Sequence, residues 1–283
     1  MIKIGVSGFT DHDLLYEDIM RKSDKLKTYA SFFPIVELDT AFYAIQPQRN
    51  MYKWMSETPD SFQFIVKAER RMTQHSILDE SQLTYNALFD QFIESVKPLV
   101  ESSRLGLVLM QFPPWFDCRT EHIQYLIFAR NKLKGIPVAI EFRHHSWFLP
   151  HVKEDTLNFL NHQQLIHAIC DEPNVGEGYV PYVLQTTAQS AFFRFHGRNN
   201  EGWTRKDMTD DAWRAVRFLY DYTLEELTQI AHDIQSVDDQ VDGDVYVIFN
   251  NNSGGHAAKN ALKLIDILNI EYVDLAPRQM KLF

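Results

Sequence analysis

The sequence predicts an α/β protein built as a single (β/α)8 barrel of the TIM type, with all strands parallel. Three observations support this prediction: eight short apolar runs, helical patterns between them, and a first turn that lacks the glycine-rich motif of nucleotide-binding folds. The runs are almost continuously apolar, as expected of strands that are buried on both faces. The strands predicted from them are Lys3–Ser7, Ile35–Asp39, Phe62–Lys67, Leu105–Gln111, Val138–Arg143, Leu165–Asp171, Ala191–His196 and Val245–Asn250.

Helical patterns with one polar face separate these strands. The predicted helices are Asp13–Phe33, Ser81–Glu101, Glu121–Leu133, Val152–His162, Asp210–Ile234 and Ala257–Leu268. Strands that alternate with helices pair in parallel, and a closed barrel of eight such units typically takes about 250 residues. The alternative is an open, doubly wound sheet, which would have a Gly-x-Gly-x-x-Gly turn after an early strand. The first strand is followed by Gly8-Phe9-Thr10-Asp11 instead, which favours the barrel.

Composition and charge narrow the class of protein. The chain has 283 residues, of which 45% are hydrophobic and 23% are charged, and no linker divides it, so we predict one domain over residues 1–283. The net charge of −10 argues against binding to extended nucleic acid or to an anionic membrane. Cys118 and Cys170 show no pairing pattern, and no signal peptide is recognisable, so we expect a cytoplasmic protein. The sequence leaves the oligomeric state open.

Polar side chains follow the carboxyl ends of the predicted strands, whereas the amino ends carry no comparable cluster. The carboxyl ends of all strands in a barrel meet at one face, where the active sites of this fold lie, so we expect these groups to converge. Side chains alternate along a strand, so Glu141 and Arg143 share a face. The same holds for Glu37 and Asp39, and for Arg194, His196 and Arg198. We predict that they point into the mouth of the barrel, because the residues between them are apolar and suit packing under the helices.

This cluster predicts a site for a small anionic ligand, phosphorylated or carboxylated, that needs neither a metal nor another cofactor. Guanidinium groups suit such anions, and a buried charge costs several kcal/mol, so a charged cluster at this face favours a ligand over a purely structural role. The residues predicted to bind the ligand are Lys67, Arg143, Arg194, Arg198, Gln111, Tyr43, Trp147 and Asn250. Aromatic side chains at the rim would suit a sugar ring, a base or another flat ligand. The residues predicted to form the rim are Trp147, Trp115, Trp203, Phe42 and Tyr43.

For catalysis, we predict Glu141 or Glu37 as the general base and His196 as the general acid. A hydrolase, a lyase or an isomerase would each be compatible with these residues.

Three other interpretations stay open. The first is a metal-dependent isomerase or phosphodiesterase, whose predicted ligands are Glu37, Asp39, Glu141, Asp171, His75 and His196. The arginines between these ligands would repel a cation. The second is a non-catalytic protein that binds a small ligand or the end of a nucleic acid. The third is a purely structural network, since four cations stand beside four carboxylates. The turn over residues 251–256 also resembles a weak anion site before the last helix.

Seven short motifs, spread from the first predicted strand to the last, carry a resemblance to a known family. They are Ile4-Gly5-Val6-Ser7-Gly8-Phe9, Val36-Glu37-Leu38-Asp39-Thr40-Ala41-Phe42-Tyr43, Phe62-Gln63-Phe64-Ile65-Val66-Lys67, Gln111-Phe112-Pro113-Pro114, Glu141-Phe142-Arg143-His144-His145-Ser146-Trp147, Arg194-Phe195-His196-Gly197-Arg198 and Phe249-Asn250-Asn251-Asn252. In this order and spacing, the chain resembles the domain-of-unknown-function family 72, also called YecE-like. The resemblance implies a TIM-type barrel and supplies no reaction. Members often have Thr-His directly after the third strand, whereas this chain has Thr73-Gln74-His75.

Overall fold

The structure is a computed structural model that describes residues 1–16, 24–79, 81–176, 179–203 and 209–278. Its centre is a closed barrel in which the strands follow one another in the order of the sequence, and every neighbouring pair is parallel. The predicted fold is therefore confirmed. The strands are β1 (Ile2–Ser7), β2 (Ile35–Leu38), β3 (Gln63–Lys67), β4 (Leu105–Gln111), β5 (Val138–Glu141), β6 (Ile166–Asp171), β7 (Ala191–Phe195) and β8 (Val245–Phe249).

Helices surround the barrel and connect its strands. They are α1 (Lys25–Tyr29), α2 (Thr40–Tyr43), α3 (Gln48–Ser56), α4 (Tyr85–Glu101), α5 (Thr120–Lys132), α6 (Lys153–His162), α7 (Asn200–Trp203), α8 (Asp210–Arg217), α9 (Leu224–Asp238) and α10 (His256–Leu268). Short 3-10 turns cover Asp13–Leu15, His145–Phe148 and Ser253–Gly255. Within the described ranges, no helix combines the length and the apolar character that crossing a bilayer requires.

Two predicted helices differ from the structure. The helix predicted over Asp13–Phe33 is replaced by a 3-10 turn and the short α1, and residues 17–23 lie outside the described part. The helix predicted over Asp210–Ile234 is two helices, because α9 has its own start signal. The Thr223 hydroxyl accepts from the Glu226 backbone N–H at 3.2 Å, and the Glu226 carboxylate accepts from the Thr223 N–H at 2.9 Å. This capping box fixes a helix start that apolar spacing alone does not reveal.

Strands β1 and β2 approach each other closely. A Cβ atom on Gly5 would lie 2.2 Å from the carbonyl oxygen of Ile35, so only glycine fits at this point of β1. Tyr29 adds a bridge between the two strands: its hydroxyl accepts from the Val6 N–H at 2.9 Å and donates to the Ile35 carbonyl at 2.9 Å. These contacts hold β1, whose last residue lies at the mouth of the barrel, in register with β2.

The segment after α10 returns to the amino end of β1. The Tyr272 hydroxyl accepts from the Ile4 N–H at 3.0 Å and donates to the Ile2 carbonyl at 3.2 Å. Further along, the Ala276 N–H donates to the Ala30 carbonyl at 2.9 Å. The last described residues are thus hydrogen-bonded to the first strand and to the turn that precedes the second.

Candidate functional site

Side chains from β2, β5 and β7 meet inside the barrel, below its carboxyl-end mouth. Arg194 donates from Nε and Nη2 to the Glu37 carboxylate, at 2.9 and 2.5 Å, and from Nη1 to Oε2 of Glu141 at 2.6 Å. The three side chains are at most 1% exposed. Strand alternation places them all on the inner face, so the predicted convergence of these residues is what the structure shows.

Two more charges extend this cluster. Arg143 donates from Nε to Oε1 of Glu141 at 2.7 Å and from Nη1 to the carboxylate of Glu172. Glu172 directly follows β6 and also accepts from the Val180 N–H at 3.0 Å. We call this chain of ion pairs the buried charge network; its members are Glu37, Arg194, Glu141, Arg143 and Glu172.

Burial and neighbouring charge set the ionisation of this network. Burial alone would raise the pKa of Glu141, but the positive charges of Arg143 and Arg194 hold it well below its usual range. Burial raises the pKa of Glu172 to about 7, because Arg143 compensates it only in part and the charge of Glu141 opposes ionisation. Glu141 is therefore a stable anion, whereas Glu172 is a carboxyl group that titrates near neutral pH.

His196 is held by the protein at both ring nitrogens. Nε2 lies 2.8 Å from Nη2 of Arg143 and 3.3 Å from the Glu141 carboxylate, and Nδ1 lies 3.0 Å from Nδ2 of Asn250. Burial, together with the charge of Arg143, lowers its pKa well below the usual range, so the imidazole is neutral. His196 is fully buried, as are the other two predicted catalytic residues, Glu37 and Glu141. All three lie beneath the mouth rather than on its walls.

A cavity of about 470 Å³ opens at the carboxyl end of the barrel; we call it the mouth cavity. Its lining includes Arg143, the point that it shares with the buried charge network. Tyr43 and Trp115 line one side and follow β2 and β4 in the chain, whereas Trp213 and Phe218 line the other side and follow β7. The strand between β2 and β4 is β3, which lies four strands from β7 in the closed ring of eight. These two walls therefore face each other.

The charge of the lining is predominantly positive. Lys67, Arg143 and Arg217 line the cavity, and Asp39 is the carboxylate that lines it among the described residues. Lys67 lies 3.6 Å from the Asp39 carboxylate, which also accepts from the Ser7 hydroxyl. Arg143 is paired with Glu141 and Glu172 of the buried charge network, so Arg217 is the lining cation that forms no ion pair with a described carboxylate.

Arg217 is held by aromatic rings rather than by an acid. Its guanidinium lies 4.4 Å from the ring centre of Trp203 and 4.6 Å from that of Trp213. Its Nε is buried and has no hydrogen-bond partner among the described residues. Among the side chains that the structure describes, no carboxylate forms an ion pair with Arg217. Burial, and next the charge of Arg143, lower its pKa to about 10, so it remains a cation at neutral pH.

His75 is a neutral imidazole on the cavity wall. Its Nδ1 lies 2.9 Å from the Thr73 hydroxyl. Burial, followed by the charges of Lys67 and Arg143, lowers its pKa to about 4. The residue inserted before it, Gln74, has a φ of 61°, a left-handed conformation in which the chain turns back and places His75 beside Thr73.

The predicted ligand-binding residues divide into two groups. Lys67, Arg143, Gln111, Tyr43 and Asn250 line the mouth cavity. The remaining three, Arg194, Arg198 and Trp147, do not: Arg194 lies deeper, inside the buried charge network.

The predicted rim position of Trp147 is wrong. The turn over His145–Phe148 folds back behind β5, and the indole is 1% exposed. It stacks on Phe142 with ring centres 4.1 Å apart, and its Nε1 donates to the Phe116 carbonyl at 2.8 Å. An aromatic residue that follows a strand end can therefore belong to the layer outside the barrel.

Arg198 also lies away from the predicted place. Gly197 has a φ of 86°, which ends the strand alternation that would have carried Arg198 inward. Arg198 instead donates from Nε to Asp171 at 3.0 Å and from Nη1 to Glu226 at 3.0 Å. Asp171 also accepts from the Tyr222 hydroxyl at 2.6 Å. Like Arg198, it does not line the mouth cavity.

Sequence reasoning missed Arg217 and Glu172. Arg217 lies at the end of α8, in the connection after β7, and no motif marks it. Glu172 was signalled only by its position after Asp171 at a strand end.

One cluster has the ligand types for a metal ion. Ligand atoms of Glu141, Cys170 and His196 lie within 4.8 Å of one another, the one such group among the described residues. The donor set does not fit a cation, however, because Arg143 contacts both Glu141 and His196 and Arg194 contacts Glu141. Burial raises the pKa of Cys170 well above its usual range, so the thiol stays protonated.

Comparison with known proteins places the chain in a family. A family model described as "Protein of unknown function DUF72" matches residues 3–281. The chain belongs to this family. The UPF0759 protein YunF of Bacillus subtilis (strain 168) is 47% identical over 284 residues, which cover 100% of both chains. The UPF0759 protein YecE of Escherichia coli (strain K12) is 27% identical over 145 residues, which cover 51% of this chain and 50% of YecE.

Solved structures of DUF72 family proteins have the same fold. One from Enterococcus faecalis V583 superimposes with a TM-score of 0.92 at 36% identity, over 99% of this chain and 100% of its own. One from Thermotoga maritima MSB8 superimposes with a TM-score of 0.81 at 31% identity, over 95% of this chain and 100% of its own. The resemblance read from the motifs is therefore confirmed, and the reaction has to be inferred from the site.

Proposed function

We propose that this DUF72 protein is an enzyme that binds a small anionic ligand, phosphorylated or carboxylated, in the mouth cavity and acts on it by proton transfer. The observation that carries the proposal is Arg217, a largely buried cation that is stacked on rings and paired with no described carboxylate. Removing a charge from water costs several kcal/mol, and an anion bound in the cavity would offset that cost. Arg143 and Lys67 line the same cavity and would share the anion.

The buried charge network gives Arg143 a fixed orientation beneath the ligand. Glu141 and Glu172 accept from different nitrogens of its guanidinium, so the group cannot rotate without breaking buried ion pairs. A cation positioned before the ligand arrives stabilises developing negative charge without reorganisation.

We assign the first proton transfer to His75, because it lies on the wall of the cavity whereas Glu37, Glu141 and His196 are fully buried. A bound anion would compensate Lys67 and Arg143, the charges that lower the pKa of His75. Ligand binding would thus raise this pKa toward neutrality, where a general base or acid is most effective. The catalytic roles predicted for Glu37, Glu141 and His196 stay predictions.

Calorimetric titration tests the binding part of the proposal. Inorganic phosphate and acetate are titrated into the wild-type protein, into Arg217→Gln and into Arg278→Gln. The control, Arg278, is at the opposite end of the barrel, where it donates to the Ser31 carbonyl. We expect Arg217→Gln to weaken binding of at least one anion by about tenfold or more, the loss of a charged hydrogen bond, and Arg278→Gln to leave it unchanged. Equal affinities in all three proteins would contradict the proposal.

Turnover separates an enzyme from a binding protein. Phosphorylated and carboxylated small molecules that bind are incubated with the protein and followed by NMR, with His75→Gln as the comparison. Consumption that His75→Gln abolishes would support the assignment. If ligands bind tightly and none is consumed, the non-catalytic alternative is correct.

A further inference from the structure

Aromatic rings form a continuous surface along one side of the mouth cavity. Phe42 contacts Tyr43 with ring centres 5.4 Å apart and contacts His75 at 5.0 Å, and His75 contacts Trp115 at 6.2 Å, in each case edge to face. All four line the cavity, and we call them the aromatic wall.

The outer members of this wall are open to solvent. Tyr43 is 63% exposed and Trp115 is 59% exposed, whereas Trp147, on the outside of the barrel, is 1% exposed. A single exposed apolar side chain on a protein surface needs no explanation. Two large rings that line the same cavity and both remain exposed provide surface for a ligand, because ligand pockets are lined predominantly by apolar and aromatic groups.

Positive charge begins where the aromatic wall ends. Nζ of Lys67 lies 4.7 Å from the centre of the Phe42 ring, so the base of the wall is already cationic. Arg143 and Arg217 line the same cavity, and 470 Å³ falls in the range of about 300–1,000 Å³ that small-molecule sites occupy. A ligand that fills the cavity would therefore meet both exposed ring surface and cations.

We propose that the ligand combines a flat conjugated ring, which stacks on Tyr43 and Trp115, with a phosphate or carboxylate group, which Lys67, Arg143 and Arg217 bind. This inference rests on the proposed function, since it concerns the same cavity. Stacking favours flat rings because their faces pair with aromatic side chains over a large area, which a saturated chain cannot do.

Matched pairs of probes isolate the ring. Phenyl phosphate is compared with inorganic phosphate, and benzoate with acetate, by calorimetric titration of the wild-type protein. Each pair shares its anionic group and differs by one ring. We expect the ring to tighten binding by about tenfold or more in at least one pair, the usual worth of stacking on one aromatic side chain.

Two variants show whether the aromatic wall provides this gain. Trp115→Ala removes the exposed indole, and Tyr52→Ala removes a comparably exposed ring (55%) from α3, whose residues do not line the cavity. We expect Trp115→Ala to abolish the advantage of the ring-bearing probe while affinity for the bare anion stays within about twofold. Tyr52→Ala should leave both affinities as in the wild type.

The outcomes distinguish this inference from the proposed function. Two outcomes would contradict the inference about the ring and leave the proposed anion site intact. In the first, the bare anions bind through Arg217 and the ring adds no affinity; in the second, Trp115→Ala weakens binding of both members of a pair equally. If none of the four probes binds, both proposals are wrong. A ring advantage that Trp115→Ala removes and Tyr52→Ala does not would support both.

Discussion

The buried charge network and the mouth cavity lie next to each other and share Arg143, yet Arg217 in the cavity is held differently from the charges of the network. In the network, Arg194 donates to two carboxylates and every acid accepts from an arginine. In the cavity, the Arg217 guanidinium contacts aromatic rings, and no described residue is a hydrogen-bond partner of its Nε. Under the proposed function, the difference separates two kinds of charge. Ion pairs that are satisfied within the protein fix the geometry of the barrel, and Arg217, which has no described carboxylate partner, binds the anion.

The largest effect is expected from breaking the network. Arg194→Ala leaves Glu37 and Glu141 buried without their shared cation, which should cost about 3–5 kcal/mol of the free energy of unfolding, measured by urea denaturation. The exposed Arg119, which pairs with Asp117, is the control, and its replacement by Ala should leave the free energy of unfolding close to that of the wild type, because exposed ion pairs contribute little. A loss below about 1 kcal/mol for Arg194→Ala would mean that the network is not what holds this end of the barrel.

A triple variant sharpens the same point. Replacing Glu37 and Glu141 by Gln together with Arg194→Met removes the charges as a set, and should cost less than Arg194→Ala alone because no uncompensated charge remains between these positions. A triple variant that is less stable than Arg194→Ala would show that the ion pairs themselves stabilise the fold.

Two tryptophans separate packing from binding surface in a comparable way. Trp147→Ala removes a ring that is stacked on Phe142, and should cost about 3–5 kcal/mol in urea denaturation. Trp115→Ala, at an exposed position, should change stability by no more than about 0.5 kcal/mol. Similar losses for both would contradict the assignment of Trp115 to ligand binding.

Glu172 should make stability depend on pH. Its pKa is raised from 4.5 to about 7, so the folded state holds a proton that the unfolded chain has already released in this range. Stability from this group is fully present below about pH 4.5 and is lost as the pH rises through about 7, by at most about 3 kcal/mol. Glu172→Gln should flatten the thermal stability measured between pH 5 and pH 8. An unchanged slope would mean that another group titrates.

The smallest effect is a gain. Arg217→Met removes a cation that burial and Arg143 disfavour, and keeps an apolar side chain of similar length between the rings. We expect the free energy of unfolding to rise by about 1 kcal/mol while phosphate or acetate binding is lost, as is common where a site is kept at the expense of stability. If Arg217→Met lowers stability instead, the cation stabilises the fold, and its burial no longer supports an anion-binding site.

Regular patterns along single strands made the barrel and part of the candidate site predictable from the sequence. Near-continuous apolar runs that alternate with helices predicted the barrel, and the period of two along each strand predicted that Glu37, Glu141 and Arg194 converge. Both are local rules that apply as long as the backbone stays extended. They stop where the backbone turns, which is why Gly197 sends Arg198 elsewhere and the turn over His145–Phe148 carries Trp147 outside.

The rest depended on the connections between strands. Arg217 lies at the cavity because the end of α8 lies there, and nothing in the spacing of the sequence after β7 encodes where this helix will lie. Glu172 lies next to Asp171 at a strand end, a position where polar residues are expected. Its ion pair with Arg143, however, depends on side-chain packing that the sequence does not show. Tertiary contacts of this kind leave no periodic trace.

The hydrogen bonds of Tyr272 to the first strand also bear on how the chain completes its folding. Until Tyr272 and Ala276 are synthesised, the Ile4 N–H lacks the hydroxyl that it meets in the finished barrel, and the Ala30 carbonyl lacks its N–H donor. The first strand should therefore become secure only after the segment that carries Tyr272 and Ala276 has left the ribosome. A chain shortened to end at residue 270 should be far more sensitive to proteolysis than its small loss of mass would suggest.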